Sequence, residues 1–210
     1  MKICKGRFTV KHEDILALPI LRKNKTTLKN TSYNDAAHCH MTESLLSVVD
    51  FDDVKNEYIR IYPCSPIPSS NDALAIIDGK LYFIEFKDGN MQSEIHDVER
   101  KIFESLLIFC DIINDTISFT RQQVNYILVY NKQKSETYIK RLLKRNEVQE
   151  TPSLDSLMND LGKLADYNID YFGLRKQFQN IYFKDVYTYR KEDFNQWLEH
   201  KMDSGIKYKP

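Results

Sequence analysis

The chain reads as an α/β protein with a mixed central sheet flanked by helices. Three observations predict this. Apolar, strand-like runs at 72–77, 80–87 and 125–130 are interleaved with helical stripes. The first two runs are joined by Asp78-Gly79, a strong two-residue hairpin signal. Both are apolar on each face, as strands covered from both sides must be.

The elements follow in order. Residues 1–31 are basic and mixed, with an apolar patch at 15–21 broken by Pro19, and read as an N-terminal extension. Ser32 or Asn34 can cap a helix over 32–49, in which Ala37, Met41, Leu45 and Val48 share one stripe. Residues 58–62 alternate and predict a strand stopped by Pro63, and 65–70 form a loop by composition. The hairpin comes next, closed by a second Asp-Gly at Asp88-Gly89. A long helix over 91–110 follows, with Ile95, Val98, Ile102, Leu106 and Phe109 in one stripe. After the 125–130 strand, 136–145 reads as a basic helix. Beyond Pro152, helix is expected at 154–164, strand at 181–189 and helix at 193–201. The expected organisation is an extension (1–31), a core (32–150) and a helix/strand/helix addition packed on it (151–210).

Composition narrows the function classes. With 42% hydrophobic and 29% charged residues, the chain is neither disordered nor low in complexity. Thirty Lys and Arg balance thirty Asp and Glu, so nucleic-acid binding has to rest on local patches. Residues 121–145 supply such a patch, with seven basic residues and one Glu. The bland reading of that stretch is a solvated face. Its Tyr126, Tyr130 and Tyr138 could stack on bases, but suit a core or its rim better. The C-terminal aromatics, from Tyr182 to Trp197, suit a satellite core or an oligomer contact, so a homodimer is one arrangement the chain allows.

The four cysteines form no CxxC pair and read as reduced thiols in a cytoplasmic protein. No signal peptide is visible after Met1-Lys2, and no apolar run is long enough to span a bilayer, so no membrane partner is expected. P-loop, dinucleotide-binding and nucleophile-elbow patterns are missing. His38-Cys39-His40 looks like a metal cluster, but neighbouring residues on a helix point about 100° apart and chelate poorly.

The hairpin carries the chemistry. With Asp78-Gly79 as the turn, Ile77 pairs with Lys80 and each outward step keeps the register, until Asp72 faces Glu85. Lys87 shares the parity of Glu85 and points to the same side. Two carboxylates and an ammonium therefore meet at the open end of an apolar hairpin. The carboxylates repel one another there, and a divalent cation relieves this better than a lysine alone. A cation so placed can activate water and neutralise charge on a phosphate oxygen, with a lysine to assist. That chemistry suits phosphodiester hydrolysis.

Asp72 followed by Glu85-Phe86-Lys87 on the next strand resembles the PD-(D/E)XK nuclease superfamily. The expected element order over residues 32–130 is also similar to that family's αβββαβ, restriction-endonuclease-like core. Asn71 stands where the pattern has Pro. The resemblance implies Asp72, Glu85 and Lys87 as catalytic residues. It implies Mg²⁺ or Mn²⁺ held by Asp72, Glu85 and the Phe86 carbonyl, and by Glu43 if the first helix supplies an acid. Arg100, Lys101 or Gln92 could join the site from the following helix, though solvated positions suit them better. The implied function is hydrolysis of DNA, with RNA as an open alternative, in a defence, phage or mobile-element setting. The competing reading is a catalytically inactive nuclease-like fold that binds nucleic acid or protein.

Overall fold

In this computed structural model, which describes residues 11–145 and 170–206, six strands form one mixed sheet. They are β1 (Lys25–Thr27), β4 (Ser47–Asp50), β5 (Ala73–Ile77), β6 (Lys80–Lys87), β7 (Val124–Tyr130) and β8 (Val186–Arg190), in the spatial order β1-β4-β5-β6-β7-β8. Pairing is antiparallel from β1 to β6 and parallel from β6 through β8. Two short strands, β2 (Tyr33–Asn34) and β3 (Cys39–His40), form a separate ribbon.

The β5–β6 hairpin is at the centre, in the register its turn predicts, from Ile77↔Lys80 out to Ala73↔Ile84. Asp78 (φ 50°) and Gly79 (φ 70°) are both left-handed, as a type I′ turn requires. Its twist matches that of the strands it joins.

Alternation along the strands separates two cores. Leu74, Leu81, Phe83, Tyr126 and Leu128 face one side. There they meet α5 (Met91–Ile112), whose Ile95, Val98, Ile102, Leu106 and Phe109 are all buried. Ala75, Tyr82, Ile84, Ile127 and Val129 face the other side, under Phe194 and Leu198 of α9 (Lys191–Ile206). Each such side chain taken out of water contributes roughly 1.5–3 kcal/mol before entropy is counted. The parallel β6–β7 pairing needs a crossover, which α5 and α6 (Ile117–Gln123) supply. It brings the end of β6, the start of α5 and the start of α7 (Lys132–Arg145) to one end of the sheet.

Two expected elements are different. Residues 32–49 form no helix: they hold β2, β3, a coil and β4. Asn34 does use its side-chain oxygen as a cap, accepting from the Ala36 and Ala37 N–H groups, but the cap closes a turn. The proposed stripe is split, with Val48 and Met41 buried and Leu45 74% exposed. The helix instead begins after Asp50, whose carboxylate accepts from the Asp53 N–H, and runs as α4 (Phe51–Ile61) through the residues read as a strand at 58–62. Phe51, Val54 and Tyr58 set its inward face at helical spacing.

Residues 11–31 pack into the core and supply a strand to the sheet. Ile15 and Leu16 of α1 (His12–Leu16), Leu21 of α2 (Pro19–Lys23) and Leu28 of α3 (Leu28–Thr31) are buried, and β1 forms one sheet edge. At the other edge, β8 is shorter than the strand expected at 181–189 and follows α8 (Leu174–Phe178). The helix expected at 154–164 lies outside the described residues. No helix among the described residues is long and apolar enough to cross a membrane.

Candidate functional site

Asp72 sits just before β5. The neighbouring backbone is held where the Asn71 N–H donates to the buried Ser105 hydroxyl of α5 (2.8 Å) and the Phe51 N–H donates to the Asp72 carbonyl (3.1 Å). The Asp72 carboxylate reaches across to β6, where Oδ2 accepts from the Phe86 N–H at 2.6 Å. Glu85 has the parity of Phe83 and Leu81, so its side chain enters the layer beneath α5 and is fully buried. Lys87 emerges two residues later on the same face.

Helix α5 completes the arrangement. Lys101 Nζ lies 2.7 Å from Glu85 Oε1 and 3.3 Å from Asp72 Oδ1, bridging the two carboxylates. Lys87 Nζ lies 3.5 Å from Glu85 Oε1, 3.1 Å from Glu94 and 2.7 Å from Asp97. Arg100 binds the other oxygen of Asp97. The result is a line of alternating charge, Asp72–Lys101–Glu85–Lys87–Asp97–Arg100, leading from the buried strand ends to the surface.

Burial dominates the acids. It raises Asp72, and it pushes Glu85 up to about 8, with the Asp72 charge second. Burial alone would lower Lys101, but the Asp72 and Glu85 charges outweigh it and hold the ammonium well above its ordinary value. Lys87 is also raised, since the Glu85 charge and Asp97 overcome its burial and the Lys101 charge. Asp97 is lowered: burial opposes ionisation, but the hydrogen bonds from Lys87 and Arg100 prevail.

The site opens into a cleft of about 310 Å³. Asp72, Phe86 and Lys87 line one side, and Tyr33 and Asn34 of the β2–β3 ribbon another. Asp88 pins these walls, accepting from Asn34 (3.2 Å), Asn131 (2.7 Å) and Lys134 of α7 (2.6 Å). Arg141 reaches Gln92 at the start of α5 (3.0 Å), so one flank of the basic helix borders this end of the sheet.

Asp72, Glu85, Phe86 and Lys87 are therefore brought together. Glu43 is not among them: it lies on coil, 75% exposed at its side chain, and pairs with Lys29 at 2.6 Å. Of the two helix residues that could join the site, Lys101 does, touching both carboxylates rather than facing solvent, whereas Arg100 is exposed. Glu94 and Asp97 are site residues that the hairpin pattern does not point to. A signal was present: Glu94, Asp97, Lys101 and Ser105 repeat at helical spacing, one residue ahead of the apolar stripe Ile95, Val98, Ile102 and Leu106.

The oxygen donors at the strand ends are of the kind hard divalent cations take. Glu85 Oε2 is buried with no hydrogen-bond partner, as is the hydroxyl of Tyr126, whose ionisation is opposed by burial first and by the Glu85 charge second. Such orphaned atoms fit a bound cation or its water. Among the described residues, no three His, Cys, Asp or Glu side chains converge on one point. A cation here would take two carboxylates, with backbone oxygen and water making up the rest. Compared with protein-family models, curated proteins and solved structures, the chain matches none.

Proposed function

We propose that the protein is a metal-dependent nuclease that hydrolyses phosphodiester bonds in DNA, built on a restriction-endonuclease-like core. The observation that carries this reading is the meeting of Asp72 and Glu85 at the end of an apolar hairpin, with Lys87 beside them. Strands β4, β5 and β6 run antiparallel with β7 parallel to β6, which is compatible with such a core. Helix α4 between β4 and β5 is an addition to its order.

Asp72, Glu85 and the Phe86 carbonyl would hold Mg²⁺ or Mn²⁺. When bound, the ion supplies positive charge to a phosphate oxygen and makes a coordinated water more acidic. The protein's own groups do the rest. Lys87, held by Glu94 and Asp97 at the edge of the cleft, would orient the attacking water and meet a phosphoryl oxygen. The attacking water gives up a proton to solvent as its oxygen bonds to phosphorus, the ester P–O bond breaks, and the departing oxygen takes up a proton from solvent.

Plasmid nicking tests this reading. Cleavage is expected in Mg²⁺ or Mn²⁺, to be lost in EDTA and to fall about 10²-fold or more in Lys87→Ala. Full activity in that variant, or in EDTA, contradicts the mechanism. A second reading has one observation in its favour: Lys101 already bridges the carboxylate pair, as it would in a fold that binds without cutting. DNA binding without cleavage in any divalent metal would favour it.

A further inference from the structure

Lys101 stands where the proposed cation would stand. Its Nζ contacts Glu85 Oε1 (2.7 Å) and Asp72 Oδ1 (3.3 Å), and among the described residues no other cation touches both. Two carboxylates side by side in an apolar layer are costly unless a positive charge lies between them. An ammonium and a hard divalent cation compete for the same oxygens.

We infer that Lys101 is the site's own counter-cation: it ties Asp72 to Glu85 in the metal-free protein and withdraws when a divalent ion binds. This rests on the nuclease reading of the site and adds to it a positioning residue that limits cation affinity.

Three features support the exchange. The ammonium serves only part of the pair, since Glu85 Oε2 remains buried without a partner. Lys101 carries its charge on a flexible four-carbon stem, and its side chain is 17% exposed rather than sealed in. It also has somewhere to go. Asp52, at the start of α4, lies close enough to act electrostatically on both Lys101 and Asp72, and its side chain is half exposed. In the metal-free state the ammonium holds one oxygen of each carboxylate, so the strand ends stay arranged for the incoming ion.

The test is Mn²⁺ titration of the full chain by calorimetry. Lys101→Gln keeps N–H donors for the carboxylates but removes the charge. It is expected to bind Mn²⁺ about tenfold more tightly or better, equivalent to ~1.4 kcal/mol of relieved competition. Lys101→Arg is expected to bind no more tightly than the native chain. A merely structural lysine would give the reverse in Lys101→Gln, because losing it would loosen the site. A measurement on the unaltered protein guards against misfolded variants: Mg²⁺ should speed acetylation of Lys101, read by mass spectrometry. Equal or weaker Mn²⁺ binding by Lys101→Gln overturns the inference, as does acetylation that Mg²⁺ leaves unchanged or slows. Equal affinities with intact plasmid nicking overturn it alone. Tighter binding by Lys101→Gln without nicking by the native chain supports it and overturns the nuclease reading. If neither form binds Mn²⁺, both fall.

Discussion

Replacing Glu85 with glutamine should stabilise the metal-free protein, and the gain should grow with pH. The native Glu85 carboxyl is raised, by burial first and by the Asp72 charge second, from 4.5 to about 8. In the unfolded chain it ionises near the lower value. Between these limits the folded state holds a proton that the unfolded state has lost, so native stability falls as pH rises. At about 1.4 kcal/mol per pKa unit, the interval sets a ceiling of about 5 kcal/mol, reached above pH 8. Lys101 is a weaker partner for an amide than for a carboxylate, but that cost is the same at every pH and leaves the pH dependence unchanged. Between pH 5 and pH 9 the advantage of Glu85→Gln should therefore grow by about 4 kcal/mol, or about 8–16 °C in Tm for a chain of this size. Urea unfolding at pH 5, 7 and 9 in EDTA measures it directly. Saturating Mg²⁺ should cut the variant's advantage, because a ligand held at 100 times its Kd stabilises the native chain by about 2.7 kcal/mol and the variant not at all. Stability curves that run parallel from pH 5 to pH 9 would refute the reasoning, since they would mean that Glu85 neither lies buried nor feels Asp72.

Two further predictions concern the surroundings. Asp88→Asn should cost about 1–3 kcal/mol at pH 7, because three donors from β2, the end of β7 and α7 lose their shared carboxylate, although the half-exposed Lys134 contributes little. Burial would raise Asp88, but the hydrogen bonds from Asn131 and Lys134 hold it below its ordinary 3.8. The penalty should thus persist above that value and fade as pH falls further, as denaturant titrations at pH 3 and pH 7 can show. Away from the site, burial and then Asp115 push the Cys110 thiol up to about 11, against an ordinary 9. Iodoacetamide at pH 8 should therefore alkylate Cys110 about 100-fold more slowly than a thiol of ordinary acidity, as timed mass spectrometry would show.

The parts of the fold legible in the sequence are those set by local geometry. Asp78-Gly79 dictates a I′ turn, and from that turn the pairing of every residue from Ala73 to Ile84 follows. The long apolar stripe of α5 was equally plain. Residues 32–61 misled because their local signals are shared between structures. Asn34 caps a turn as readily as a helix, and a stripe of four apolar residues cannot reveal that Leu45 faces solvent. Tyr58, Ile59 and Ile61 suit a strand by composition, but Asp50 had already started a helix whose inward side chains pack on Phe83 and Phe109. The hairpin register likewise foretold the approach of Asp72, Glu85 and Lys87. The roles of Lys101, Glu94 and Asp97 depend on how α5 is rotated over the sheet, which only its packing decides. Glu43 went astray with the helix assigned to it.

The claim on which the account depends is that Asp72 and Glu85 share one divalent ion. Crystals soaked in Mn²⁺, with data collected at a wavelength where manganese scatters anomalously, test it most directly. The account predicts one anomalous peak in contact with both carboxylates and the Lys101 ammonium drawn away from them. An absent peak, with Lys101 still bridging Asp72 and Glu85 at saturating Mn²⁺, would contradict it.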